Sequence, residues 1–173
     1  MFNNLTKLSC FSFASLRFRQ DSCYVAVFLN GSTYIMNFIN LNCPPLPYFI
    51  VGGGCVYRPG DIHERRTIRN VFDLIYVHSG TLYLEQDPFR VELNAGQFFI
   101  ITPDTPHRGS RVCQEKTTTS WVHFYTNGKY SLSDEFYPDN VTRRAAPKFY
   151  YSPQNFILSL PRTGTVPEAN REK

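Results

Sequence analysis

The stretch that decides the fold is GQFFIITPDTPH, residues 96–107. Its glycine permits a tight turn, and the run FFII that follows has the composition of a buried strand. The two prolines end that strand, because proline has no backbone N–H to donate. His107 comes directly after them, where a side chain can face the mouth of a β-barrel, a common place to hold one small ligand. The stretch therefore predicts a barrel that binds a small molecule near His107.

The rest of the chain also favours strands over helices. Its 173 residues include 15 Phe and 11 Tyr, and proline and glycine are spread throughout. Short apolar runs recur between turn signals such as Ser79-Gly80 and Asp87-Pro88, and no segment reads as an amphipathic helix. The predicted strands are residues 48–51, 55–57, 71–78, 81–85, 89–93, 98–101 and 118–126, with 149–152 and 156–160 as further candidates. This spacing predicts one all-β domain, a sandwich or barrel.

The sequence divides into three parts. Residues 1–42 are predicted to be an N-terminal extension or arm, residues 43–160 the barrel, and residues 161–173 a frayed tail. The first 35 residues show neither steady alternation nor helical periodicity, and Met36 then begins a run that reads like a natural start. Two interpretations stay open for them: a dispensable extension, with translation beginning at Met36, or a strand docked on the barrel.

The basic excess of the chain lies outside the predicted barrel. The formal net charge is +4, but residues 43–142 hold nine Lys/Arg against eleven Asp/Glu. The surplus positive charge is in the segments before and after them. Nucleic-acid binding exploits clustered positive charge, so this core is not expected to contact DNA.

Cysteine usage and hydropathy predict a cytoplasmic protein. The five cysteines contain no CxxC pair and no regular spacing, which argues against a disulfide framework or a zinc site. They are Cys10, Cys23, Cys43, Cys55 and Cys113. The best candidate for a membrane span, residues 24–39, is broken by polar residues and glycine and is too short. Two arginines interrupt the only early apolar run, so no signal peptide is predicted.

Two spacings indicate a family. Asp73-x6-Gly80 and Gly96-x10-His107 match the acid-to-glycine and glycine-to-histidine spacings of the two cupin motifs. The run that begins at Asp73, DLIYVHSGTLYLEQDPFRVELNAGQFFIITPDTPHRGS, closely resembles the cupin sensor domain of AraC-type transcriptional regulators. The resemblance covers residues 48–126. It implies an all-β cupin double-stranded β-helix (a jelly-roll barrel) that binds a small molecule, often a sugar, and precedes a helix-turn-helix DNA-binding domain.

The chain departs from the cupin pattern at the metal ligands. Metal-binding cupins place an HxH pair four or five residues before the acid, where this sequence reads RTIR at residues 66–69. Only Asp73 and His107 remain of four potential ligands, whereas zinc and iron sites generally need at least three from the protein. We therefore expect no metal and no cofactor, and a domain that binds its ligand by hydrogen bonds rather than an enzyme.

A second departure concerns the DNA-binding half. No helix-turn-helix pattern follows Asn127, and the 46 residues after it are too few for the two such units of the family. DNA would then be reached only through a C-terminal domain that is absent from this chain.

Five residues are candidates for the ligand site. His107 either contacts the ligand or caps a turn at the rim, and Asp73 points inward if the cupin register holds but otherwise faces solvent. His63 and Arg66 precede the Asp73 strand, and either can reach over the mouth as a donor or belong to a solvated loop. Trp121 can stack on a sugar ring, although core packing is favoured.

Two other histidines are weaker candidates. His78 lies beside a hairpin turn and is expected at the surface, and His123 alternates with Trp121 on one strand face.

Taken together, these features predict the effector-sensing domain of an AraC-type regulator. The domain is expected to bind a small polar effector, a sugar, and to form a homodimer. The alternatives are a metal-dependent cupin isomerase or dioxygenase and a structural or storage cupin that works by self-association.

Overall fold

The computed structural model describes residues 37–135 and 155–171. The two interpretations of residues 1–35 and the candidate strand at 149–152 lie outside these residues. Within them the chain forms eleven strands and one short 3-10 helix, Glu168–Asn170. The strands are β1 (Phe38–Cys43), β2 (Tyr48–Tyr57), β3 (Phe72–Ser79), β4 (Thr81–Gln86), β5 (Phe89–Asn94), β6 (Gln97–Ile101), β7 (Arg108–Gly109), β8 (Thr117–Tyr125), β9 (Tyr130–Ser133), β10 (Phe156–Pro161) and β11 (Thr163–Thr165).

Two antiparallel sheets face each other and form the barrel. One has the order β11-β6-β3-β8-β2 and the other the order β5-β4-β7. Their facing side chains make one apolar core, because alternate residues of a strand point to the same side. It consists of Ile75, Val77, Leu82, Leu84, Phe89, Val91, Leu93, Phe99, Ile101 and Cys113. This arrangement is the predicted all-β cupin double-stranded β-helix, so the fold prediction is confirmed.

A third sheet covers the outer face of the larger one. It has the order β10-β1-β9. Residues of β1 pack there against the residues of β3 and β6 that point away from the barrel, such as Phe72 and Ile100. The cluster consists of Ile39, Leu41, Cys43, Phe72 and Ile100. The two faces of the five-stranded sheet are thus both buried over β3 and β6, which explains the unbroken apolar runs of these strands.

Both predicted domain boundaries differ from the structure. β1 begins at Phe38 and pairs along its length with β10, so residues 38–42 belong to the fold rather than to an arm. The segment after β10 is also part of the fold, because β11 pairs with β6. The polar sequence of this tail does not reveal that pairing. Arg162, between the two strands, is only 2% exposed.

The turn between β3 and β4 depends on Gly80. This residue has φ +75°, and a Cβ added to it would lie 2.5 Å from Thr117 Oγ1 and 2.7 Å from the carbonyl oxygen of Lys116. Gly60 also has a positive φ, +95°, but nothing lies within 4 Å of an added Cβ. Both glycines therefore have a positive φ that favours glycine, but only Gly80 also has atoms close to the position of an added Cβ.

We expect Gly80→Ala to lower the free energy of unfolding more than Gly60→Ala does, by about 1 to 3 kcal/mol. Both variants incur the cost of a left-handed conformation, and only the first forces the β8 backbone to move. Urea unfolding of the two variants measures the difference. Equal losses would mean that the contacts around Gly80 relax freely.

β2 is an exposed apolar edge. It is the last strand of its sheet, and the segment from Cys43 to Tyr57 carries no charged residue. No described element covers this edge, and its large apolar side chains are 43–65% exposed, which is unusual for a long edge strand without charges. They are Leu46, Tyr48, Phe49, Ile50, Val51 and Val56.

Candidate functional site

One end of the barrel gathers the buried polar side chains. Asp73, at the start of β3, is opposite Ile101 at the end of β6. The next residue, Thr102, is hydrogen-bonded through its backbone N–H to the Gln86 side chain at the end of β4, 2.9 Å away. The starts and ends of three strands therefore meet here, and the apolar core fills the barrel below them. We call this end the mouth.

The Asp73 side chain is fully buried, and its carboxylate has no hydrogen-bond partner among the described residues. It is on the same face of β3 as Ile75 and Val77, so it points into the barrel, as the cupin register implies. Neither carboxylate oxygen has a hydrogen-bond partner among the described residues. The nearest basic group is His123, whose Nε2 is 3.5 Å from Oδ2. Burial raises the pKa of Asp73, and the nearby His123 and Arg66 oppose that shift only in part.

His107 is the second buried group without partners. It is 2% exposed, and neither ring nitrogen has a hydrogen-bond partner in the part of the chain that the structure describes. Burial lowers the pKa of His107 to about 4, and the charge of Arg66 contributes in the same direction. The Thr105 carbonyl opposes this shift without making a hydrogen bond of normal geometry to the ring. At neutral pH the ring is uncharged and carries one N–H donor and one acceptor.

His63 is held beside His107 by a bridge in the backbone. Arg66 and His107 exchange two backbone hydrogen bonds of 3.0 Å, which brings the loop before β3 onto the mouth. The His63 ring is 5.4 Å from the His107 ring, centroid to centroid, and is 3% exposed. Its pKa is lowered to about 3, first by burial and then by the charges of Arg66 and His107. The predicted pair His63 and Arg66 is therefore brought together with His107.

A hydrogen-bond chain from Arg66 through His63 to Tyr57 fixes the position of the proton on His63. The Arg66 guanidinium donates to Nε2 at 3.4 Å, because arginine has no acceptor. Neutral His63 then carries its proton on Nδ1, which lies 2.8 Å from the Tyr57 hydroxyl oxygen and donates to it. Tyr57 keeps its own O–H as a donor, since burial raises its pKa further above the ordinary value.

Tyr57 is a site residue that the sequence reasoning missed. No local signal pointed to it, because its contact with His63 depends on the fold of the loop between them. An open cleft of about 370 Å³ lies against this chain of residues. It is lined by Cys55, Val56, Tyr57, Asp61, Ile62, His63, Glu64 and Arg66.

A larger cleft of about 550 Å³ is lined in part by His107. Its wall combines charged and apolar side chains from the β4–β5 turn and the segments that lead into β7 and β3. The lining residues are Arg65, Glu85, Asp87, Pro88, Phe89, Arg90, Pro106, His107 and Arg108.

Trp121 occupies a structural position. It is partly buried and packs against the barrel core, as the core-packing alternative expects. Its ring is 4.7 Å from the His123 ring. A Cβ added to Gly53 would lie 2.8 Å from the Trp121 ring, so β2 approaches the indole closely. His78 is exposed and hydrogen-bonded to Ser120, as predicted for a surface residue.

Arg162 closes the barrel beside the mouth and was not predicted. Its guanidinium is buried, donates to the Gln86 Oε1 at 2.6 Å, and lies 3.9 Å over the ring of Phe89. Burial lowers its pKa to about 10, so it remains charged at neutral pH. The C-terminal segment is thereby tied to the same end of the barrel as Asp73 and His107.

Within residues 37–135 and 155–171, no three His, Cys, Asp or Glu side chains are grouped closely enough to hold a metal ion. The geometry of the mouth is that of hydrogen-bonding groups: a buried carboxylate, neutral imidazoles and a phenol.

The family model of the AraC-like ligand binding domain matches residues 52–126. This segment is therefore similar to AraC-like ligand binding domains. The resemblance seen in the sequence is confirmed. The matched segment contains all the polar groups of the mouth apart from Arg162, namely Tyr57, His63, Arg66, Asp73, His107 and His123.

A curated relative of the AraC-like domain is a bacterial regulator. Over 81 residues the chain is 37% identical to the uncharacterized HTH-type transcriptional regulator YisR of Bacillus subtilis (strain 168). The alignment covers 47% of this chain and 28% of that protein, so the chain spans less than a third of the relative's length.

Solved structures similar to the chain include β-helix and cupin proteins. A double-stranded β-helix protein of Klebsiella pneumoniae is 19% identical, with a TM-score of 0.40, and the match covers 54% of this chain and 89% of that one. A cupin protein of Bacteroides fragilis is 17% identical, with a TM-score of 0.38 and coverage of 50% and 75%.

No helix among the described residues has the length and apolar character needed to cross a membrane.

Proposed function

We propose that the AraC-like domain binds a small polar effector, a sugar or sugar derivative, at the mouth of its barrel and thereby controls DNA binding by a helix-turn-helix domain of the same regulator. The observation that carries the proposal is the pair Asp73 and His107, both buried and both without hydrogen-bond partners among the described residues. Leaving a buried polar group unpaired costs about 1 to 3 kcal/mol. Such a cost is typical of a site that a ligand satisfies.

The groups at the mouth suit a molecule with several hydroxyls. The Asp73 carboxylate can accept two hydrogen bonds, and the His107 ring offers one donor and one acceptor. The Tyr57 hydroxyl and the Arg66 guanidinium add donors beside His63. Hydrogen bonds to a charged group contribute about 1.5 to 3 kcal/mol each, so a few of them suffice for micromolar affinity.

Control of DNA binding requires two conformations with unequal affinity for the effector. The buried Arg162 supports such coupling, because it links the C-terminal segment to Gln86 at the mouth. We place this function in the cytoplasm, where a regulator meets DNA. The test of this part is operator binding by the full-length regulator, measured with and without effector.

A thermal-shift panel of mono- and disaccharides tests effector binding. A ligand at 100 times its Kd stabilises the folded state by about 2.7 kcal/mol, so a true effector raises the melting temperature by several degrees. We expect the rise to be lost in His107→Ala and kept in His78→Ala. A panel without any rise, or about one bound metal ion per purified chain, would favour the cupin-enzyme or structural alternative.

We further propose that the domain forms a homodimer through the exposed edge strand β2. Antiparallel pairing of β2 with its copy brings no like charges together, because residues 43–57 are uncharged, and it covers the exposed apolar side chains. We expect Phe49→Lys to shift the chain from dimer to monomer in light scattering. Val112→Lys, a control at an exposed apolar residue elsewhere, should leave the mass unchanged. A wild-type monomer at high micromolar concentration would refute the dimer.

A further inference from the structure

The cleft of about 550 Å³ beside His107 has an excess of positive charge. Three arginines line it, Arg65, Arg90 and Arg108, against two acidic residues, Glu85 and Asp87. The lining therefore carries one net positive charge at neutral pH. The neighbouring Arg66 adds to the positive potential.

The arginines of this cleft are not equivalent. Glu85 is bound by both Arg90, at 2.8 Å, and Arg108, so one carboxylate engages two of the three guanidinium groups. The hydrogen bonds from Arg108 and Arg90 lower the pKa of Glu85 and keep it ionised. Arg65 makes no ion pair with any residue in the described ranges. It is the uncommitted cation of the cleft.

The wall of the cleft also contains a buried donor. His107 is 2% exposed, neither of its ring nitrogens is hydrogen-bonded to a described residue, and it lines the cleft directly. A neutral imidazole can donate its N–H to an anion. An uncommitted guanidinium and an unpartnered imidazole at one cleft make a pair of donors for a single acceptor group.

We propose that the effector carries a carboxylate, which Arg65 and His107 bind at this cleft. The inference rests on the proposed function and names the class of effector: a sugar acid such as a hexuronate. A monoanion matches the single net positive charge of the lining. The carboxylate suits the planar guanidinium, which binds it through two parallel hydrogen bonds.

Calorimetric titration with matched pairs of sugars tests the proposal. The probes are glucuronate against glucose and galacturonate against galactose, added to the purified chain. We expect the acid of at least one pair to bind about tenfold or more tightly than its neutral partner, as one added charge-assisted hydrogen bond implies. We also expect its affinity to fall when NaCl is raised from about 0.05 to about 0.5 M, because salt screens exposed charges.

Arg65→Gln provides the residue-level test, with Arg69→Gln as the matched control. Both side chains are exposed and belong to the same loop, but Arg69 does not line the cleft. We expect the first variant to lose about tenfold in affinity for the acid and to bind the neutral sugar as before, and the second to be unchanged. Equal melting temperatures of the unliganded variants establish that both fold.

The outcomes separate the inference from the proposed function. A neutral sugar that binds as tightly as its acid, or an acid that Arg65→Gln binds with full affinity, overturns the carboxylate proposal and leaves the sensor intact. If neither member of either pair binds and the wider sugar panel gives no thermal shift, both proposals fail.

Discussion

Replacing Asp73 with asparagine is expected to weaken effector binding about 100-fold without lowering the stability of the unliganded domain. Asparagine has nearly the same shape, so packing against Ile75 and Val77 is kept. It removes the negative charge that two hydroxyl hydrogen bonds would use, and two such bonds are together worth about 2.7 kcal/mol or more. The structure thus predicts opposite effects on binding and on folding at one position.

The stability part follows from the sign of the pKa shift. Burial raises the pKa of Asp73, so the folded state disfavours the charged carboxylate, and His123 at 3.5 Å compensates only in part. Removing the charge at neutral pH therefore relieves a cost of folding, as at many sites that trade stability for activity. We expect urea unfolding at pH 7 to give a free energy of unfolding that is unchanged or raised.

Glu92→Gln serves as the control for charge removal. Glu92 is an exposed residue of β5 that pairs with Arg111 at the surface. It should change neither affinity nor stability by more than about 0.5 kcal/mol. Full effector affinity in Asp73→Asn would contradict the assignment of Asp73 to the site, and unfolding of this variant would contradict the burial argument.

Acidification is expected to destabilise the domain through two buried histidines. The pKa values of His63 and His107 are lowered to about 3 and about 4, against 6.5 in the unfolded chain. Below pH 6.5 the two histidines are therefore protonated in the unfolded state but not in the folded state. The stability that the neutral rings contribute is complete above pH 6.5 and is lost as the pH falls. Between pH 7.5 and pH 5 this amounts to roughly 2 kcal/mol for each histidine.

Other titratable groups at the mouth modify this pH dependence. Asp73 acts in the opposite direction, because its raised pKa lets the folded state take up a proton at higher pH than the unfolded state does. Burial is the main cause of the lowered pKa of both rings, and the charge of Arg66 acts in the same direction. Urea unfolding at several pH values measures the slope, and we expect His63→Gln to halve it and His78→Gln to leave it unchanged. A wild-type domain equally stable at pH 5 and pH 7.5 would contradict the burial of both neutral rings.

The barrel could be predicted because its signals are local. The alternation in β3 and the glycine and proline boundaries of β6 depend on a few neighbouring residues, and they correctly gave strands, turns and fold class. The orientation of Asp73 could not be predicted from alternation alone. Alternation places Asp73 on one face of the strand with Ile75, but it does not show which face is inside the barrel. The sheet partners decided that question.

The missed features depend on long-range contacts. β1 pairs with β10, more than a hundred residues later in the chain, so no window of sequence reveals that residues 38–42 belong to the fold. Arg162 reads as part of a polar tail, yet it is buried under two phenylalanine rings because β11 pairs with β6. Tyr57 is six residues from His63, and only the fold of the loop joins their side chains.

NMR of the histidine rings tests most directly whether the effector binds at His107 and His63. The chain has four histidines, so the ring signals can be assigned with four single substitutions. On titration with the effector found in the sugar panel, we expect the His107 and His63 signals to shift and to saturate at one effector per chain. The His78 signal should not move. An effector that stabilises the domain while the His107 and His63 signals stay in place would contradict it.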